Sequence, residues 1–169
     1  GNEGPASRFV AEQIARYVDE CRLVEIPDSI QDDPDYAFRL LNFTYRNTPQ
    51  VECVIHGTEG GRSLLLNAHL DVVPPSEGQV EAFQPRQADG KVYGRGAVDD
   101  KGQVASLFAL AAALRKGRVR PRGDVTFHFV VEEEIGGNGT LAMVRRGVQA
   151  DAAVVLEATE FHVVPAVRG

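Results

Sequence analysis

The stretch Leu64-Leu65-Leu66-Asn67-Ala68-His69-Leu70-Asp71 decides the reading of this chain, because an apolar run ends on an imidazole and, two residues later, a carboxylate. The spacing predicts a strand over 62–68 with polar chemistry at its carboxyl end. Downstream, Val104-Ala105-Ser106-Leu107-Phe108-Ala109-Leu110-Ala111-Ala112-Ala113-Leu114 predicts a helix over 102–116. A helix apolar on most sides is usually buried, so it should lie against a sheet. A β-rich run follows at 124–131, then a short helix at 139–147. The continuous apolar run 152–156 is of the kind that central parallel strands show. Strands alternating with helices imply an α/β fold.

Upstream, Pro5 suits a first helical turn, and Phe9, Val10, Ile14, Tyr17, Val18 and Cys21 follow a 3.6-residue period, so an amphipathic helix is expected through Cys21. Short strands are predicted at 22–27, 36–46 and 51–57, with Asn47-Thr48-Pro49 marking a hairpin turn, and 72–95 reads as loop. There is no internal repeat and no charge block, so one core is the simplest account.

The 169 residues are 43% hydrophobic and 25% charged, a composition that describes a soluble globular domain. No apolar run approaches the roughly 18 residues of a membrane span. The formal charge of -6, without a dense Lys/Arg block, argues against a nucleic-acid partner. Cys21 and Cys53 are too few for a disulfide framework and read as small buried apolar groups in a reducing, cytoplasmic compartment. No secretory or transit segment is visible. Met143 is the only methionine and the chain opens on Gly1, so sequence is expected to be missing on both sides. The far end, 163–169, reads as a strand-like run.

In open α/β sheets, ligands bind beyond the carboxyl ends of the strands. His69 and Asp71 sit at one such end; Asp99 and Asp100 precede the apolar helix; Glu132, Glu133 and Glu134 follow a second strand, and Glu157 a third. Converging carboxylates repel one another, and a bound divalent metal resolves that conflict. Carboxylates with an imidazole suit Zn²⁺, Co²⁺ or Mn²⁺, and this many acids could hold a pair roughly 3.5–4 Å apart. In an extended His-x-Asp segment both side chains point the same way, so Asp71 can accept from the imidazole N–H that does not face metal. Adjacent glutamates diverge, letting one ligate metal while its neighbour handles protons.

Other readings stay open at several positions. Asp99 could cap the following helix, a role compatible with ligation. Glu132 reads equally as part of a solvated acidic turn. Glu160 competes with Glu157, His162 is a candidate for substrate contact, and His56 and His128 read as structural. The Gly94-Arg95-Gly96 glycines read as turn geometry, since a phosphate loop would carry Lys-Ser/Thr.

Three strings taken together, Asn67-Ala68-His69-Leu70-Asp71-Val72-Val73-Pro74, Tyr93-Gly94-Arg95-Gly96-Ala97-Val98-Asp99-Asp100-Lys101-Gly102 and Glu132-Glu133-Glu134-Ile135-Gly136-Gly137, resemble the M20 metallopeptidase family. Its members include acetylornithine deacetylase, succinyl-diaminopimelate desuccinylase, aminoacylases, dipeptidases and carboxypeptidases. The resemblance implies a mixed, largely parallel sheet with flanking helices. Residues 1–169 would then be the N-terminal portion of one zinc-peptidase-like catalytic domain, with the lid or dimerisation domain absent. It also implies two Zn²⁺ per full-length chain, with Co²⁺ or Mn²⁺ as alternatives. Carried over residue by residue, His69 and Glu157 bind the first zinc, Asp99 bridges both, Glu134 binds the second, and Asp71 orients His69. Glu133 becomes the base that deprotonates a water shared by the metals, and a cis peptide is expected at Asp99–Asp100.

The implied function is hydrolysis of an amide bond in an N-acyl amino acid or small peptide, by a homodimer formed through the missing domain. Relatives complete the second zinc with a later histidine, so the isolated chain is expected to hold metal weakly and hydrolyse little. Asp100 departs from the family, which usually carries a hydrophobic residue there. Competing readings are a dipeptidase or carboxypeptidase, a binding or scaffold relative without catalysis, and a two-metal phosphoesterase. The last would surround its site with Arg or Lys, and only Arg95 and Lys101 lie near these motifs.

Overall fold

The computed structural model describes residues 2–160 and 162–163, so all of the strand-like run expected over 163–169 except Val163 lies outside the described residues. Helix α1 (Gly4–Ile14) carries Pro at its start, where a missing N–H costs nothing. It buries Gly4, Ser7, Val10 and Ile14 at helical spacing. It ends seven residues short of the expected Cys21, because the chain turns after Tyr17 and is captured by the sheet. Strand β1 (Glu20–Val24) is set by its register with β2 (Gln50–Ile55), which places Cys21 opposite Cys53.

Strands β3 (Leu64–His69), β6 (Val125–Val130) and β7 (Ala152–Val155) complete a five-stranded sheet in the order β1-β2-β6-β3-β7. The pairs β6/β3 and β3/β7 are parallel, and β2 is antiparallel to both its neighbours. Only β2 therefore runs against the other strands, which gives the mixed, largely parallel α/β sheet that the resemblance implied.

Between β3 and β6, two short strands pair as an antiparallel ribbon, β4 (Arg86–Ala88) and β5 (Lys91–Tyr93), in a segment expected to be all loop. Asp89 and Gly90 between them both adopt positive φ, 51° and 72°, the backbone that tight two-residue hairpins need. The opposite correction applies to 36–46, which contains no strand. Asn42 at φ 59° breaks the extended path, and Tyr36, Phe43 and Tyr45 anchor the segment by packing onto the core. Asn47-Thr48-Pro49 therefore leads into β2 without joining two strands.

Helix α2 (Lys101–Gly117) packs beside β3 and buries Val104, Leu107 and Ala111. Its burial is one-sided, with Leu110 40% exposed, because a helix on an open sheet covers that sheet with a single stripe. Ile14, Val51, Cys53, Phe127 and Phe129 are solvent-free in the main core. Helix α3 (Asn138–Arg145) covers the other face, where Met143 meets Val24 and Val130. Among the described residues, strand β7 pairs with β3 on one side, and Val154 and Val155 are 49% and 58% exposed.

Candidate metal centre

The parallel strands align their carboxyl ends. His69 is the last residue of β3 and stands in register with Val130 of β6, while Asn67 stands opposite Val155 of β7. Glu132 to Glu134 and Glu157, which follow β6 and β7, therefore emerge at the same edge as His69. Along β3 and beyond, Leu66, Ala68 and Leu70 enter the core, so the alternation gives His69 and Asp71 a common side.

The His69 ring is 1% exposed and faces acids at both nitrogens. Nδ1 lies 3.1 Å from the Asp71 carbonyl and 3.4 Å from Asp71 Oδ1. Nε2 lies 2.9 Å from Asp99 Oδ1 and 3.9 Å from both Glu133 Oε2 and Glu157 Oε2. Donation from Nδ1 to Asp71 leaves Nε2 as the lone-pair nitrogen that a cation requires.

Asp99 and Asp100 are joined by a cis peptide bond, as the resemblance led one to expect. They point to different places. Asp99 is half-exposed and faces His69, whereas Asp100 is fully buried and accepts the His69 backbone N–H at 2.9 Å through Oδ2. Asp100 Oδ1 is buried without a hydrogen-bond partner. Neither residue caps α2, since Asp100 occupies the cap position and makes no side-chain cap bond. The tight path into this turn depends on Gly96 at φ 80°, where a Cβ would meet Val72 Cγ1 at 2.6 Å.

Ligand atoms of His69, Asp99, Asp100 and Glu157 lie within 4.8 Å of one another, so the structure brings together three of the four predicted metal ligands plus an unexpected carboxylate. Glu134 lies outside that group. Its Oε1 accepts the Val73 N–H at 3.3 Å, and its own N–H donates to Asp71 Oδ2 at 3.1 Å. Glu160 is also outside it. His162 bonds within its own turn, its Nδ1 lying 3.1 Å from the Thr159 carbonyl.

Electrostatics show the strain of this grouping. Burial, with added repulsion from Glu157 and Asp99, pushes the Asp100 carboxyl up to about 7 despite the opposing His69 contacts. Burial also raises Glu133 and Glu157, and each raises further through acidic neighbours. For His69 burial opposes the charge, but Asp71, Asp100 and Asp99 outweigh it and lift the imidazole to about 10. Protons thus stand where a cation would relieve the repulsion, and this imidazole-carboxylate set with an orphaned buried oxygen fits a divalent metal.

Sequence reasoning missed the support behind this cluster. Glu132 is buried, against the solvated reading, in a left-handed conformation at φ 59°. Its carboxylate accepts from the Tyr36 hydroxyl at 3.0 Å and from the Tyr45 hydroxyl, which lie 2.9 Å from each other. Asn138 Oδ1 accepts the Ala37 N–H at 3.0 Å, tying the tyrosine segment to α3. Two tyrosines in one apolar run signal buried hydroxyls that need partners, but nothing in their spacing names Glu132. The nearby cations are already engaged. Lys101 Nζ donates to the Leu70 carbonyl at 3.1 Å, and Arg95 donates to Ser76 Oγ and Gln79 Oε1. This counts against a phosphate-binding site.

With this geometry in hand, known proteins supply context. The model of peptidase family M20/M25/M40 matches residues 65–167. The chain is similar to N-formyl-4-amino-5-aminomethyl-2-methylpyrimidine deformylase of Bacillus subtilis, 32% identical over 124 residues that cover 70% of this chain and 29% of that protein. Succinyl-diaminopimelate desuccinylase of Erythrobacter litoralis is 36% identical over 115 residues, covering 63% of this chain and 29% of its own length. The chain thus spans under a third of these relatives. Human carnosine dipeptidase 1 shares the fold at a TM-score of 0.66 and 19% identity, over 91% of this chain and 32% of its own. An M20 family metallo-carboxypeptidase of Sulfolobus solfataricus does so at 0.66 and 21%, over 89% and 31%.

Proposed function

Because this chain belongs to peptidase family M20/M25/M40, we propose that it supplies most of the active site of a dinuclear metal-dependent amidohydrolase that removes an acyl group from a small N-acyl amine. The observation that carries this reading is the convergence of a His69 ring nitrogen and the carboxylates of Asp99, Asp100 and Glu157 within 4.8 Å, with Glu133 Oε2 3.9 Å from His69 Nε2. An N-acyl substrate is favoured over a peptide because relatives above 30% identity include a deformylase and a desuccinylase.

His69, Asp99 and Glu157 would hold the metals, with Glu134 turning from Val73 to join them and Zn²⁺ as the leading ion. Bound divalent metal would supply Lewis acidity, polarising the scissile carbonyl and bringing water's pKa toward ~7. Glu133 takes the proton of the attacking water and delivers it to the departing amine. Burial and acidic neighbours raise its carboxyl, which suits a base that must also release its proton near neutral pH. Asp71 accepts from His69 Nδ1 and keeps Nε2 in its ligand tautomer, while Asp100 clamps the His69 backbone. The full-length protein acts as a cytoplasmic homodimer, and the isolated 169-residue chain hydrolyses little alone.

Metal analysis and an N-formyl and N-succinyl amine hydrolysis assay on full-length protein, beside Asp99→Ala, test this reading. Two metals per chain, reduced in Asp99→Ala, with chelator-sensitive hydrolysis are expected. Metal content indifferent to Asp99 would shift the reading to a binding protein on the same fold.

A further inference from the structure

Away from the carboxylate cluster, β1 and β2 set Cys21 directly opposite Cys53 across an antiparallel pair. Opposed residues in such a pair have Cα atoms about 4.5–5.5 Å apart, inside the range of about 4.4–6.8 Å that a disulfide spans. The Cys53 thiol donates to Cys21 Sγ at 3.0 Å, so the two sulfurs already face each other. Their surroundings differ. Cys53 is solvent-free in the core, whereas Cys21 is partly exposed on the sheet's edge strand.

We propose that Cys21 and Cys53 form a peroxide-reactive dithiol site in which Cys21 is the attacked sulfur and Cys53 the resolving thiol. The Cys21 thiolate attacks one oxygen of hydrogen peroxide and the O–O bond breaks, giving Cys21 sulfenic acid and hydroxide, which takes up a proton to become water. Cys53 sulfur then attacks Cys21 sulfur. The S–O bond breaks, the S–S bond forms, and the departing hydroxide takes the Cys53 proton as a second water. Two thiols are oxidised to one disulfide and one peroxide is reduced to two waters.

Two features support this order of roles. The Cys53 S–H hydrogen bond holds the Cys21 thiol below its ordinary range against the effect of burial, and low-pKa accessible thiols are the ones peroxide selects. Among the described residues β1 is bonded on one side only, by β2, so closure from 3.0 Å to the ~2.05 Å of a disulfide moves one strand. The closed loop would contain Tyr36 and Tyr45, which hold Glu132 beside the carboxylate cluster.

The test treats full-length folded protein with hydrogen peroxide, alkylates remaining thiols in denaturant, and maps peptides by mass spectrometry without reductant. The expected result is a linked Cys21–Cys53 peptide, lost on dithiothreitol treatment, and dimedone labelling of Cys21 in Cys53→Ser. Both thiols remaining alkylatable under excess peroxide would overturn the proposal, as would oxidation of Cys21 to sulfinate without the linked peptide. The wild-type mapping needs no variant, and none of these readouts uses amide hydrolysis, so the result is independent of the proposed function.

Discussion

His69 is the residue at which all the site's demands meet: its backbone N–H is held by Asp100, its Nδ1 by Asp71, and its Nε2 faces Asp99, Glu133 and Glu157. Glu133 is set apart from the four grouped ligands, so Glu133→Gln is expected to leave metal content unchanged while kcat falls by roughly 10²–10⁴-fold, the usual share of a general base. Metal analysis beside steady-state kinetics checks this, and retained turnover would assign the base elsewhere. Tyr45→Phe removes one of two hydroxyls that satisfy the buried Glu132 carboxylate. Leaving a buried acceptor short of a partner costs about 1–3 kcal/mol, measurable as a lower urea midpoint. His69, Glu133, Glu134 and Glu157 were legible as candidates because each ends or follows a strand, and Asp99 because it precedes an apolar helix. Glu132's partners were not, since Tyr36 and Tyr45 lie about ninety positions away and are brought near only by the fold.

Among the elements, α3 is held to the sheet through an unusually close approach. A Cβ on Gly139 would meet the Val131 carbonyl at 2.0 Å, and Gln50 bridges the same place by donating to the Gly139 carbonyl while accepting the Val131 N–H. Gly139→Ala must therefore push α3 off the carboxyl end of β6. The expected loss is about 1–3 kcal/mol in urea unfolding, the range for overpacking, and an unchanged midpoint would show that α3 is free to shift. Periodicity alone found α2, α3, β3 and β6. It failed for 36–46, where an alternating aromatic pattern reads as a strand but serves to anchor an irregular segment. It also failed for β4 and β5, too short to register, although Asp89-Gly90 carried their turn signal.

For the whole molecule, the carboxylate cluster couples stability to pH. His69 is raised from its ordinary 6.5 to about 10 and Asp100 from 3.8 to about 7. Groups raised on folding stabilise most below their unfolded values and lose that contribution as pH rises through their folded ones. Chelator-treated protein should thus lose stability between about pH 4 and 7 through Asp100, and between about 6.5 and 10 through His69. Added Zn²⁺ should stabilise increasingly over the same rise, because protons and metal compete for the same atoms. Thermal unfolding across pH, with and without metal, measures both trends. A chelated protein that gains stability from pH 6.5 to 10 would contradict the geometry of the cluster.

The sequence by itself determined which residues are candidates for chemistry and where along the chain they stand, because polar groups at the ends of apolar runs are a local feature. It also determined that the fold alternates strands and helices, through periods set by backbone geometry. Only the tertiary structure decided that β7 pairs with β3, that Asp100 turns inward to the His69 backbone, and that Cys21 faces Cys53. Those outcomes depend on strand order and register, which arise from pairings between distant segments and leave no mark in either segment alone.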